Sequence, residues 1–173
     1  MSTCTPKRAF ASLVCLTIVL ALLPGRLGAQ TIAAEINQEK SELRQYRLTM
    51  PKIRQMVAAT LAFAKEVEGD PALAKKLKDN TEPEPQTLVE LAARMEKEPR
   101  LAAAIKNAGL TSREYATLTL CYYPAMYAYT AKKQGAIKEL PKDILPDNVA
   151  LIEANEAELM RLNQELEAHD TNK

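Results

Sequence analysis

The amino-acid sequence predicts an all-α protein, organised as a single-domain bundle of about five or six helices. Two observations support this prediction. Apolar residues recur at steps of three and four in several stretches that begin with a capping residue, and no convincing stretch alternates apolar and polar residues as a half-buried strand does. Residues 111–134 are the most apolar stretch after the N-terminal segment, and they are expected to form the central helix.

The central stretch carries a start signal and a stop signal. Thr111 and Glu114 have the spacing of a capping box, and Gly135 is expected to end the helix. Pro124 lies inside it, where the missing hydrogen bond to the carbonyl of Leu120 predicts a kink. Both sides of this helix are expected to pack against neighbours. The concave side carries a tyrosine-rich row, which the sequence favours as ordinary core. The alternative is that its members line a ligand pocket, and the candidates are Tyr115, Tyr122, Tyr123, Met126, Tyr127 and Tyr129.

Residues 1–29 have the pattern of a cleaved signal peptide. Lys7 and Arg8 precede the apolar run 9–23, and Ala29 ends an acceptable cleavage site. The run is short for a membrane span, and no second run of spanning length follows it, so no stable membrane anchor is expected after cleavage. The sequence therefore predicts an exported protein, either periplasmic or secreted.

The charge of the chain argues against one class of partner. The whole chain has a formal net charge of +1, and removal of Lys7, Arg8 and Arg26 with the signal peptide makes the balance slightly negative. Acidic and basic residues are interspersed, so the sequence contains no basic stripe that would neutralise the phosphates of a nucleic acid. Nucleic acid is therefore not an expected partner.

The mature chain begins with a segment of ambiguous structure. Residues 30–48 are predicted to form either a short docking helix or a loose arm, and the sequence leaves both open. The helical domain is predicted to span residues 49–168. Thr49, followed by Pro51, is expected to cap a helix over about 50–68 whose apolar stripe faces the core.

Sharp turns separate the next helices. Asp70 and Pro71 open a short helix after Gly69, and the proline-containing loop 80–86 precedes a helix capped by Thr87. A further short helix is expected after a second pair of an acidic residue and a proline.

Residues 61–78 match residues 89–106, and the match places Asp70-Pro71 on Glu98-Pro99. This similarity indicates either an internal duplication of a helical hairpin or the convergence of any helix–proline–helix corner on one pattern.

The last helix is expected to follow a connector over residues 135–146. Asp147 or Asn148 is predicted to cap it, and it should continue to residue 168. Residues 169–173 are expected to fray.

No set of residues in the sequence indicates a reaction. Motifs for haem attachment, zinc binding, a phosphate loop or a nucleophile elbow do not occur. Cys121 is the only cysteine left after signal cleavage, and it is expected to be a small buried residue because no histidine lies near it in sequence. The only histidine, His169, lies in the tail. No catalytic residue, metal or cofactor is therefore expected.

Several short motifs follow one another in a definite order along the chain: Leu48-Thr49 before a first long helix, the Glu98-Pro99 corner, Gly109-Leu110-Thr111 with Tyr115, and Asn148-Val149 at a last helix. This layout resembles that of uncharacterised exported helical proteins of bacteria. The resemblance covers most of the mature chain. It implies an exported all-α fold and a bacterial source, and it carries over no activity or site.

Two functional hypotheses of different classes follow. The favoured one is a non-catalytic module that binds another protein or a peptide through a helical surface, with Lys75, Lys76, Arg94 and Lys97 presenting charge on its outer side. The alternative is a small-molecule carrier, whose pocket would lie beside Pro124 against the tyrosine-rich row.

Overall fold

A computed structural model of the chain describes residues 36–79, 81 and 87–169. The predicted signal peptide 1–29 lies outside the described residues, as do most of the loop 80–86 and tail residues 170–173. Helices and no strands occur in the described ranges, which confirms the all-α prediction.

The described part of the chain contains eight helices, more than the five or six predicted. Part of the segment 30–48 is helical, and the last predicted helix is divided at Asn155, whose φ of −123° departs from helical values. The bounds are residues 36–45 for α1, Met50–Glu68 for α2, Pro71–Lys78 for α3, Leu88–Glu96 for α4, Pro99–Asn107 for α5, Ser112–Lys133 for α6, Pro146–Ala154 for α7 and Glu156–Ala168 for α8.

The core is built from the apolar faces of these helices. Helix α6 contributes Leu118 and Tyr122, both fully buried. They belong to one cluster with fully buried side chains of four other helices: Ile53 and Met56 of α2, Ile105 of α5, Ile152 of α7 and Leu159 of α8. Because each such side chain contributes about 1.5–3 kcal/mol when removed from water, this cluster fixes how the helices pack.

Three helices begin at the capping residues that the sequence predicts. Asp70 accepts hydrogen bonds from two backbone N–H groups in the first turn of α3. Thr87 forms a capping box with Glu90 at the start of α4. Thr111 accepts a hydrogen bond from the N–H of Glu114 at the start of α6. Each cap satisfies N–H groups that have no partner within the helix.

Thr49 is the N-cap residue of α2, as predicted, although its side chain makes no capping hydrogen bond. The predicted cap of the last helix is wrong. Helix α7 begins at Pro146, before Asp147 and Asn148, and no side chain caps it. Proline at a helix start needs no hydrogen bond for its own nitrogen, so these two helices start without a side-chain cap.

Asn148 instead connects the start of α7 to the chain between α1 and α2. Its side chain is buried, with 4% of the residue exposed. The side-chain oxygen Oδ1 accepts from the N–H of Leu48 at 2.9 Å, and Nδ2 donates to the carbonyl of Tyr46 at 2.9 Å. One side chain therefore satisfies two backbone groups on a distant segment.

Helix α1 docks onto the rest of the protein. Leu43 packs against the core, and Arg113 of α6 pairs with Glu42 at 2.8 Å. The carboxylate of Glu39 accepts from the backbone N–H groups of Leu88 at 2.8 Å and Val89 at 3.3 Å. Because these N–H groups lie at the positive end of α4, the carboxylate satisfies donors and is favoured by the helix dipole.

The length and polarity of the helices bear on the membrane question. None of the helices in the described part of the chain combines the length and the apolar character that crossing a bilayer requires.

Candidate functional site

A groove of about 860 Å³ lies between α2, α3, α6 and α8, hereafter the α3 groove. Its lining exposes more apolar than polar surface. The apolar contributions come from all four helices: Phe63, Ala64 and Val67 of α2, Ala74 and Leu77 of α3, Tyr123 of α6 and Leu166 of α8. A volume of this size is within the range of about 300–1,000 Å³ that is typical of ligand pockets.

The groove exists because α3 is a short helix that leaves α2 at a sharp corner. Gly69 follows the last residue of α2, and Asp70 caps α3 through the N–H groups of Ala72 and Leu73 at 3.0 and 3.1 Å. Leu73 is the only buried residue of α3. The other side chains of α3 therefore form a wall of the α3 groove, line a smaller hollow against α4 and α5, or face solvent.

Ion pairs fix this wall to the start of α5. Oδ2 of Asp70 lies 2.8 Å from Nη2 of Arg100, and Nζ of Lys76 lies 2.7 Å from Oε2 of Glu98. The hydrogen bond from the N–H of Leu73, together with Arg100, lowers the pKa of Asp70 below its ordinary value. The two acidic residues that precede the short helices thus each pair with a basic residue of the other hairpin. This arrangement positions α3 opposite α6 and α8.

Two polar side chains of the groove lining form hydrogen bonds with buried tyrosines. Thr60 shares a hydrogen bond of 2.8 Å with the hydroxyl of Tyr115, and Asn163 accepts one from the hydroxyl of Tyr122 at 3.1 Å. Burial raises the pKa of both tyrosines, so their phenols stay neutral. The Nδ2 donor of Asn163 makes no hydrogen bond to another described residue, and it is available to an acceptor in the groove.

Two lysines on α3 give one edge of the groove a positive charge. Lys75 and Lys78 are exposed, line the groove and form no ion pair with another described residue. Glu167 and His169 lie on the α8 side of the groove. Glu167 has an interaction of its own, and Nδ1 of His169 lies 2.9 Å from Oε1 of Glu68. The lining therefore carries two lysines on the α3 side and one carboxylate, Glu167, on the α8 side.

The edge formed by α6 is apolar. Leu120, Tyr123 and Tyr127 are exposed by 42%, 46% and 77%, at the i, i+3 and i+7 positions of one helical stripe. The expectation that both sides of the central helix pack against neighbours is therefore wrong for the face of α6 that carries these three residues. Tyr123 belongs both to this stripe and to the α3 groove, and its ring contacts that of Tyr122 edge-on at a centroid distance of 5.2 Å.

The tyrosine-rich row predicted from the sequence is distributed over several environments. Tyr115 and Tyr122 are buried in the core, and Tyr123 lines the α3 groove. Met126 and Tyr129 line a separate hollow of about 460 Å³ between α6 and the two last helices. Tyr127 is exposed. Of the six predicted side chains, Tyr123 is thus the one that lines the α3 groove.

The four basic residues singled out in the sequence also separate. Lys75 lines the α3 groove, whereas Lys76, Arg94 and Lys97 lie around a smaller hollow of about 310 Å³ between α3, α4 and α5. Lys76 is paired with Glu98, and Arg94 and Lys97 are also engaged with other groups. Lys75 is therefore the member of this set whose charge remains open to a partner.

The environment of Cys121 does not activate its thiol. The residue is buried beside α1, and Sγ donates to the carbonyl of Leu43 at 3.5 Å. Burial, with a smaller contribution from the carboxylate of Glu42, raises the pKa of the thiol to about 11. The thiolate, which is the nucleophilic form, is therefore scarce near neutral pH.

Metal binding has no candidate in the described ranges, since they contain no group of three or more His, Cys, Asp or Glu side chains placed to hold an ion. The chemistry that the α3 groove offers is that of recognition: apolar walls, an amide donor and two ammonium groups. No protein-family model, curated protein or solved structure matches the chain.

Sequence reasoning missed most of the groove. Apolar stripes contain three of its lining residues, Phe63, Val67 and Leu166. From the sequence alone these residues look like core residues, because the sequence does not give the position of α3 relative to α2 and α8. Asn163 carried a usable signal, because it interrupts the apolar stripe of the last helix and a polar residue there requires a partner.

Proposed function

We propose that this protein is a non-catalytic binding module that holds an apolar segment of another protein or of a peptide in the α3 groove. The observation that supports the proposal is an open groove whose apolar walls come from four helices, beside an exposed apolar stripe on α6. Exposed apolar surface that is rimmed by polar groups is typical of interaction sites. The signal-peptide pattern of residues 1–29 supports a place of action outside the cytoplasm.

The dimensions of the groove favour a short helical segment. On α2 its lining runs from Thr60 to Val67, which corresponds to about 10 Å at 1.5 Å per residue. A helix of about two turns has the same length, and it presents apolar residues at i, i+3, i+4 and i+7 to such a groove. Burial of two or three such side chains gains at most about 9 kcal/mol, and association costs at least about 4 kcal/mol, so binding is expected to be weak, with a dissociation constant of roughly 0.2–1 mM.

A small-molecule carrier is the second candidate, and the volume of the α3 groove is the observation that favours it. The polar donor at Asn163 and the lysines on α3 would suit an amphipathic molecule with an acidic group. Native mass spectrometry of protein purified from its own source separates the two candidates, because a carrier retains a small molecule of defined mass.

Peptide binding is tested with a fluorescein-labelled model helix that has leucines at i, i+3, i+4 and i+7 and neutral glutamines elsewhere. Fluorescence anisotropy should give saturable binding to the protein. Ala64→Arg places a long cationic side chain in the groove and should abolish binding. Ala62→Arg is the matched control, because Ala62 is exposed on the same helix and does not line the groove. Absence of saturable binding at about 1 mM protein, or equal loss in both variants, would overturn the proposal.

A further inference from the structure

The charge of the α3 groove distinguishes among the segments that fit its shape. Its α3 edge carries Lys75 and Lys78, and its α6 edge carries Tyr123 within the exposed apolar stripe. The α8 side of the lining carries the carboxylate of Glu167, which has an interaction of its own, and His169, whose Nδ1 lies 2.9 Å from Glu68 Oε1. A bound helix therefore meets a cationic edge on one side and an aromatic, apolar edge on the other.

The position of the two lysines along α3 sets a direction. Both lie in the last turn of α3, near its negative end, and they are three residues apart, which is about 4.5 Å along the axis. A helix that packs antiparallel to α3 brings its own first turn beside this end. Acidic side chains are favoured in the first turn of a helix, so the dipoles and the side-chain charges agree in this orientation.

We infer that the preferred partner is an acidic amphipathic helix that packs antiparallel to α3, with carboxylates in its first turn facing Lys75 and Lys78. Its apolar face contacts Phe63 and Leu166. The free Nδ2 donor of Asn163 then meets a polar side chain within that face. This inference rests on the proposed function and adds the charge and the direction of the bound segment.

Four labelled peptides of about twelve residues with one common leucine face test it. They carry glutamates in the first turn, glutamates in the last turn, lysines in the first turn, or glutamines throughout. In about 50 mM salt, the peptide with glutamates in the first turn should bind roughly three- to tenfold more tightly than the glutamine peptide, as expected for two exposed ion pairs. The preference should largely disappear in about 0.5 M salt because of screening.

Matched protein variants assign the effect to α3. Lys75→Gln with Lys78→Gln should remove the preference for acidic peptides and leave binding of the glutamine peptide unchanged. Lys65→Gln with Lys106→Gln removes the same charge from exposed positions outside the groove lining and should keep the preference.

The outcomes separate the inference from the proposed function. Equal binding of the acidic, neutral and basic peptides would overturn the inferred acidic charge of the partner. Equal binding of the two acidic peptides would overturn its inferred antiparallel orientation to α3. Failure of all four peptides to bind would overturn the proposed function itself. Displacement of the acidic peptide by decanoate at lower concentration than by unlabelled peptide would assign the groove to a small anionic amphiphile and overturn the peptide inference.

Discussion

The hydrogen bonds of Asn148 join the start of α7 to the segment between α1 and α2, and their contribution to stability can be measured directly. The Asn148 side chain accepts from the N–H of Leu48 and donates to the carbonyl of Tyr46, both at 2.9 Å. Substitution of Asn148 by Ala removes both hydrogen bonds and supplies no replacement. The N–H of Leu48 then remains in a residue that is only 5% exposed, where water reaches it poorly.

The cost of Asn148→Ala follows from these two groups. A buried donor left without a partner costs about 1–3 kcal/mol, and loss of the bond to the half-buried carbonyl adds about 0.5–1.5 kcal/mol. The free energy of unfolding should therefore fall by about 2–4 kcal/mol, out of a total of about 5–15 kcal/mol for a typical domain. With a urea slope of about 2 kcal/mol per molar, the midpoint should fall by about 1–2 M.

Urea unfolding followed by circular dichroism measures this change, and Asn155→Ala is the matched control. The side chain of Asn155 donates to the carbonyl of Leu151 within its own helix, so its loss should cost about 1 kcal/mol or less. A midpoint for Asn148→Ala equal to that of the control would refute the assignment of Asn148 as the connection. A changed slope would mean that the unfolded or native state had changed as well.

Three further predictions concern a thiol, a pair of glycines and an ion pair. Because burial raises the pKa of Cys121 to about 11, native protein should react with Ellman's reagent at pH 8 far more slowly than urea-unfolded protein, and equal rates would contradict the burial. Gly109→Ala and Gly135→Ala should each lower the free energy of unfolding by about 1 kcal/mol, because φ is +79° and +73° at these positions. Gly109→Ala should cost more, since its new Cβ would lie 3.0 Å from Nε2 of Gln55, and thermal melts that reverse this order would contradict the geometry. The hydrogen bond from Lys52 lowers the pKa of Glu114 below 4.5, so the pair stabilises the fold above that pH and the contribution is lost as pH falls through the lowered value. Lys52→Met should flatten this part of the acid limb of the stability curve, and an unchanged limb would contradict it.

Local signals made much of the secondary structure predictable. The capping residues Asp70, Thr87 and Thr111 and the glycines after α5 and α6 act within a few residues of themselves, so the sequence is sufficient to locate those helix ends. The start of α7 was misplaced, because Asn148 has the composition of a cap but forms its hydrogen bonds with residues of a distant segment.

The candidate site depended on information that periodicity does not contain. An apolar stripe shows that a helix has a face to bury, but it does not show whether a neighbour covers that face along its whole length. Phe63 and Val67 lie on the stripe of α2, and they line a groove because α3 buries only Leu73. On α6 the same limit produced the same kind of error, since Tyr127 lies in the predicted tyrosine row and is 77% exposed.

The hydrogen bonds that join the first and last parts of the chain have a consequence for the order of folding. Asn148 bonds residues 100 and 102 positions before it, Arg54 bonds Glu158 across 104 positions, and His169 lies beside Glu68 across 101. Local helices form in microseconds, whereas contacts of this separation must first overcome the entropy of closing a long loop. During synthesis from the N-terminus, the apolar face of α2 therefore stays partly uncovered until α8 has been made. Such a chain is exposed to aggregation for most of its synthesis, and it gains its full cooperativity only with its last helices.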